Sequence, residues 1–183
     1  MKNQSGKQAS AEQLYFVGIL PPPAIQQEVT AFKQQALDRF RTGHALNSPP
    51  HITLLPPFGS HRTDFSALTE FVADKKAIDI QLNGFDKFDQ KVIFVDIMPN
   101  ESLLALQKEL ELFAHYHLGI VPDYGPFRPH MTIAFKDLKR PIFAEAFAYF
   151  SGQPYGRTFA ANTISLLKYM GKKWEVLNEW TLL

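Results

Sequence analysis

His51-Ile52-Thr53-Leu54 and His130-Met131-Thr132-Ile133 are two copies of a His-x-Thr-aliphatic tetrad. Histidine has an unperturbed pKa of about 6.5, so it takes or gives a proton near neutral pH. Two of them can remove a proton from an attacking oxygen and deliver one to a departing oxygen, which is what cleavage of a phosphodiester needs. General acid–base help of this kind is worth about 10²–10⁴-fold per group. Side chains alternate across a strand, so His51 and Thr53 share a face, as do His130 and Thr132. The two hydroxyls can then hydrogen-bond the non-bridging phosphate oxygens, where charge develops. This design requires no metal. One such tetrad would carry little weight, because a solitary strand histidine is usually a core or edge residue and threonine favours strands anyway. Two in matched positions carry much more.

The elements that must position the tetrads are also written twice. Phe16-Val17-Gly18-Ile19-Leu20-Pro21 is echoed by Phe94-Val95-Asp96-Ile97-Met98-Pro99, 78 positions later, and the tetrads are 79 positions apart. A helix is predicted between strand and tetrad in each half. The first spans about residues 24–40, with Ile25, Val29, Phe32 and Leu37 on one face. The second spans about 102–116, with Leu103, Leu106, Leu110 and Phe113 on one face. Shorter helices are predicted at about 65–73 and 142–149, and further strands at about 78–85, 91–97, 158–167 and 174–182. Pro50 and Pro129 each precede a tetrad histidine. A proline there lacks an N–H and suits the start of a strand or an edge. The pattern implies an α+β fold made of two α/β repeats, about 14–90 and 91–183, related by a pseudo-two-fold axis. Residues 1–12 read as a flexible polar tail and 13–183 as a single domain.

Around the second tetrad, Arg128 and Lys136 would share the face of His130 and Thr132 on a straight strand. They are either phosphate contacts or solvated charges at the strand ends. Tyr124 and Phe127, in the loop Tyr124-Gly125-Pro126-Phe127, either stack a base or cap the core. Phe58 after Pro56-Pro57 has the same two readings. His115 and His117 are two apart, so they do not face each other on a helix. They suit a helix C-terminus better than a metal. His44 and His61 fall in predicted loops and carry no supporting pattern.

Composition narrows the class further. The 183 residues are 45% hydrophobic, with 16 Phe, so the chain is globular. A net charge of only +1 argues against a long duplex footprint, though not against a small anion or an RNA end. The absence of Cys removes disulfides, thiolate nucleophiles and Cys-bound zinc. There is no Gly-rich phosphate loop, no H-E-x-x-H and no G-x-S-x-G. The polar first dozen residues lack an apolar signal core, and no apolar run would span a bilayer. A cytoplasmic monomer without cofactor, membrane anchor or obligate protein partner is expected.

Through HITL and HMTI and their placement in two repeats, the chain resembles the two-histidine (2H) phosphoesterase superfamily, which includes 2′-5′ RNA ligase-like proteins and RNA cyclic phosphodiesterases. The resemblance covers about residues 14–183. It implies a bilobed fold with the active cleft between two sheets, and catalytic roles for His51, Thr53, His130 and Thr132. It also implies metal-independent action on 2′,3′-cyclic phosphates of nucleotides or RNA ends, giving a 2′-phosphate. Many RNA-ligase-like members carry Arg shortly after the second tetrad. This chain has Ala134-Phe135-Lys136 instead, and Lys136 offers a point charge rather than a bidentate fork. The alternatives are 2′-5′ RNA ligation at the same site and non-catalytic binding of an RNA end or nucleotide. A metal-dependent hydrolase is disfavoured because neither tetrad contains a carboxylate.

Overall fold

A computed structural model describes residues 11–121 and 125–183. The first half runs β1 (Gln13–Ile19), α1 (Pro23–Phe40), β2 (Ile52–Ser60), α2 (Leu68–Val72) and β3 (Ile78–Phe88). The second runs β4 (Val92–Ile97), α3 (Glu101–Phe113), β5 (His130–Ala134), α4 (Arg140–Ser151), β6 (Gly156–Ala161), β7 (Thr163–Tyr169) and β8 (Trp174–Thr181). The repeated Phe-Val-x-Ile segments become β1 and β4, inner strands of two antiparallel sheets. One sheet has the order β2-β1-β7-β8 and the other β5-β4-β3-β6. Each tetrad strand is therefore an edge strand beside its own repeat's central strand.

The halves are interleaved. β3 leaves the first half to join the second sheet, and β7 and β8 leave the second half to complete the first. The long helices cross as well: α1 packs on β5, and α3 packs on β2. The helix of each repeat thus supports the tetrad strand of the other. Asp137, just after β5, adds a polar tie between the halves. Its carboxylate accepts from Thr42 Oγ1 at 2.6 Å, Gly43 N at 2.9 Å and His44 N at 3.0 Å. Burial pushes this carboxyl's pKa up, but the three hydrogen bonds outweigh it and hold the group below its ordinary value.

Local signals explain the helix ends. Pro23 opens α1, where its missing N–H costs nothing. Asn100 caps α3 by accepting from Leu103 N at 2.9 Å. The buried stripe of α1 is Ile25, Val29, Lys33, Ala36 and Phe40, so Lys33 and Ala36 occupy the face expected for Phe32 and Leu37. The shorter first-half helix shrinks to α2, its predicted start at Phe65 being a turn.

One expectation is corrected. Residues 158–167 do not make one strand: they end β6 at Ala161 and begin β7 at Thr163, in different sheets. The crossing residue, Asn162, is held by a hydrogen bond from Leu182 N to its carbonyl. Both flanks are apolar and no Gly or Pro marks the crossing, so nothing in the pattern separates the two strands. Among the described residues, no helix is long and apolar enough to cross a membrane.

Candidate active site

His51 immediately precedes β2 and His130 opens β5, each behind its proline. The two imidazoles are anchored alike. His51 Nδ1 lies 2.7 Å from the carbonyl of Pro49, and His130 Nδ1 lies 2.8 Å from the carbonyl of Arg128. A carbonyl only accepts, so Nδ1 carries the hydrogen in both rings and Nε2 is the atom left to gain or lose a proton. The repeat phenylalanines hold the rings. Phe16 packs on His51 at 4.5 Å between centroids, and Phe94 on His130 at 5.0 Å. A second aromatic completes each nest: Trp174 against Phe16 at 4.8 Å, and Phe88 edge-on to His130 at 4.8 Å.

Gly18 pairs with Thr53 across β1 and β2. A Cβ on Gly18 would come within 2.8 Å of the Ile52 carbonyl and 3.6 Å of His51 Cδ2. Only glycine permits this approach of the two backbones beside the histidine.

Two adjoining cavities flank the tetrads, and Thr53 and Pro57 line both. The smaller, about 270 Å³, gathers His51, Thr53, Thr132, Lys136, His44 and Trp174. The larger, about 380 Å³, gathers His130, Arg128, Phe127, Phe88, Gln107 and Thr53. The cleft thus brings together both histidines, both threonines, Arg128, Lys136 and Phe127. Tyr124 lies outside the described residues. Lys136 reaches the cleft because its backbone turns at φ 56° after β5 ends, not by straight strand alternation.

The charges around the two histidines differ. Burial drives the His51 pKa down to about 4; the nearby Lys33 and His130 lower it further, and the bond to Pro49 opposes them. Burial also lowers the pKa of His130, with the Arg128 cation adding to the shift and the Asp96 carboxylate opposing it. Asp96 is the β4 residue paired with His130.

Arg128 is committed to two carboxylates. Its Nη2 donates to Asp86 at 2.5 Å and Asp96 at 3.2 Å, and its guanidinium sits over Phe94 and Phe88 at 5.1 and 5.5 Å. These partners compensate its charge, so Lys136 is the cation of the cleft without a carboxylate partner among the described residues. Behind His51 lies Lys33, only 2% exposed, whose Nζ donates to the Ser48 carbonyl at 2.8 Å. Burial lowers its pKa to about 7.

Comparison with known proteins decides the family. The family model described as the 2'-5' RNA ligase superfamily matches residues 21–173. The chain belongs to that superfamily. No curated protein gives a significant match. Solved structures share the superfamily fold across nearly the whole chain. Apo E. coli LigT is 18% identical with a TM-score of 0.65, covering 94% of this chain and 99% of its own. E. coli LigT complexed with 3'-AMP is 18% identical with a TM-score of 0.63, covering 93% and 98%. TT0787 of Thermus thermophilus is 20% identical with a TM-score of 0.62, covering 93% and 97%. E. coli LigT has also been solved with ATP.

Within this superfamily fold, several cleft residues escaped the sequence reading. His44 reaches the smaller cavity because Asp137 fixes its backbone and Phe135 meets its ring edge at 5.0 Å. Gln107 could have been flagged, since it stands four residues after Leu103 and three before Leu110 on the buried stripe of α3. His115 and His117 pack on aromatic neighbours, Tyr116 and Phe113. No group of three or more His, Asp or Glu side chains suited to hold a metal ion occurs among the described residues.

Proposed function

We propose that this member of the superfamily is a phosphodiesterase that opens 2′,3′-cyclic phosphates on nucleotides or RNA ends by two-histidine acid–base catalysis. The observation that carries this reading is the matched anchoring of His51 and His130, which leaves a proton-transferring Nε2 on each side of one cleft. His51 is neutral at physiological pH and acts as base. Its Nε2 takes a proton from water as the water oxygen bonds to phosphorus. The bond from phosphorus to O3′ breaks, and His130 Nε2–H protonates that oxygen, leaving a 2′-phosphate. Thr53 and Thr132 donate to the non-bridging oxygens, and Lys136 offsets their charge. Asp96 favours the protonated form of His130, which suits the acid; Lys33 favours neutral His51, which suits the base. Phe127 offers an apolar surface to the substrate beside this phosphate site.

The nucleotides in the LigT structures, 3'-AMP and ATP, support a ligand of this size and chemistry. Ligation at the same site is the reverse reaction, with a hydroxyl of a second RNA in place of water as partner. The test is an oligonucleotide ending in a 2′,3′-cyclic phosphate, incubated in chelator with the native protein and with the His51→Ala/His130→Ala double variant. Conversion to a 2′-phosphate by the native protein alone is expected. Full activity in a folded double variant would refute the reading.

A further inference from the structure

Gln107 is a buried amide with one unused atom. The residue is 6% exposed and lines the larger cavity beside the Leu54 backbone. Its Nε2 faces the Leu54 carbonyl and the Glu111 carboxylate, each at 3.4 Å. Both neighbours are acceptors, so the amide nitrogen must face them and its orientation is fixed by chemistry. Its two hydrogens are thereby used. The side-chain carbonyl Oε1 has no partner among the described residues, yet no fully enclosed side-chain oxygen there lacks one, so Oε1 opens on accessible space. A buried residue with a spare acceptor, lining a cavity together with Pro56, Pro57, Phe88 and Phe127, gives that cavity the character of a site for a flat apolar ring with one polar edge. A nucleobase is such a ring, and the phosphate-facing groups Thr53 and His130 line the same cavity.

We propose that Gln107 is a specificity residue whose side-chain carbonyl accepts from the exocyclic amine of a nucleobase in the larger cavity, so that cytosine and adenine are preferred to uracil and hypoxanthine. The inference rests on the phosphodiesterase reading for the kind of ligand, but not on turnover. Cytosine and adenine carry an amino donor where uracil and hypoxanthine carry a carbonyl. The wrong base would set two acceptors against each other and leave Oε1 unpaired, which costs about 5–150-fold in affinity.

The test is calorimetric binding of 2′-CMP against 2′-UMP, and of 2′-AMP against 2′-IMP, to the full-length native protein and to Gln107→Met. Thermal melting of both proteins accompanies it. The native protein should prefer the amino base by about fivefold or more in both pairs. In the variant both ratios should fall toward one while binding through the phosphate persists. Because ratios are compared, a general loss of stability in the variant cancels, and the native pairs stand without it. Ratios near one in the native protein, unchanged ratios in the variant, or no binding of any of the four would overturn the proposal. Turnover of the 2′,3′-cyclic forms of CMP and UMP separates the two readings. Discrimination in binding without turnover defeats the phosphodiesterase reading alone, and equal turnover and binding of both defeats the specificity reading alone.

Discussion

Lys33 predicts that this protein becomes more stable when a charge beneath its candidate site is removed. The ammonium is buried, has the Ser48 carbonyl as its hydrogen-bond partner, and forms no ion pair with a carboxylate among the described residues. Its pKa falls from 10.5 to about 7 through burial. At about 1.36 kcal/mol per pH unit, this difference corresponds to roughly 5 kcal/mol. Below pH 7 the lysine is charged in both folded and unfolded chains, so the folded state bears the full cost. Between pH 7 and 10.5 the unfolded chain binds the proton more tightly, and stability rises with pH. Lys33→Met removes the cost but leaves the Ser48 carbonyl without its donor, a loss of about 1–3 kcal/mol. The net gain at pH 6 is about 2–4 kcal/mol, equivalent to roughly 4–16 °C in melting temperature for a chain of this size. At pH 10 the gain should have vanished, because native Lys33 is then neutral in the fold. Denaturant unfolding of both proteins at pH 6 and pH 10 measures this directly. A stability difference that is the same at both pH values, or a variant less stable at pH 6, would refute the reasoning. The same substitution should raise the His51 pKa, since the Lys33 charge lowers it.

Under the proposed mechanism, His51→Ala and His130→Ala should each lower kcat by about 10²–10⁴-fold, with a cooperative melt retained. Single-turnover assays with circular dichroism check both points. The profile of kcat/KM against pH should be bell-shaped with an acidic optimum. His51 must be neutral, which places the rising limb near pH 4, and His130 must be protonated, which places the falling limb below 6.5. Asp96→Asn should shift that falling limb to still lower pH, because the carboxylate raises the His130 pKa, while Asp86 retains Arg128. Gly18→Ala should push β1 from β2 beside His51, and a loss of kcat by roughly tenfold or more is expected, since misplacement by about 1 Å can cost far more. Unchanged kinetics in that variant would mean that β2 adapts without moving the imidazole.

The tetrads were legible because they rest on the two-residue period of a strand, and the repeat because β1 and β4 serve identical positions in their sheets. The exchange of strands between halves was not. It turns on Asn162, where a hydrogen bond from distant Leu182 replaces any local breaker. Lys33 was hidden because periodicity counts lysine as polar, whereas its four-carbon stem can fill an apolar stripe. Lys136 was placed on the correct side of the molecule for an incomplete reason: strand alternation stops at Ala134, and a positive φ turns the chain back to the cleft. Arg128 was open between two readings because its carboxylate partners, Asp86 and Asp96, come from β3 and β4, far away in sequence.

The most informative difference between the repeats is the third residue of Phe-Val-x-Ile-x-Pro. Where the first copy has Gly18, the second has Asp96. A symmetric pair of histidines would have equal intrinsic proton affinities, and only their mutual repulsion would separate the two titrations. Gly18 removes any side chain from the approach of β1 to β2, so that no carboxylate stands beside His51 there. Asp96 places a carboxylate at the register partner of His130. Lys33 works in the same direction from α1, lowering His51, whereas His130 faces the Arg128 cation, which lowers its pKa, and the Asp96 carboxylate, which opposes that. One duplicated scaffold thus supplies matched geometry, while unequal burial first, and single-residue departures from the duplication second, supply the unequal proton affinities that the proposed base and acid require.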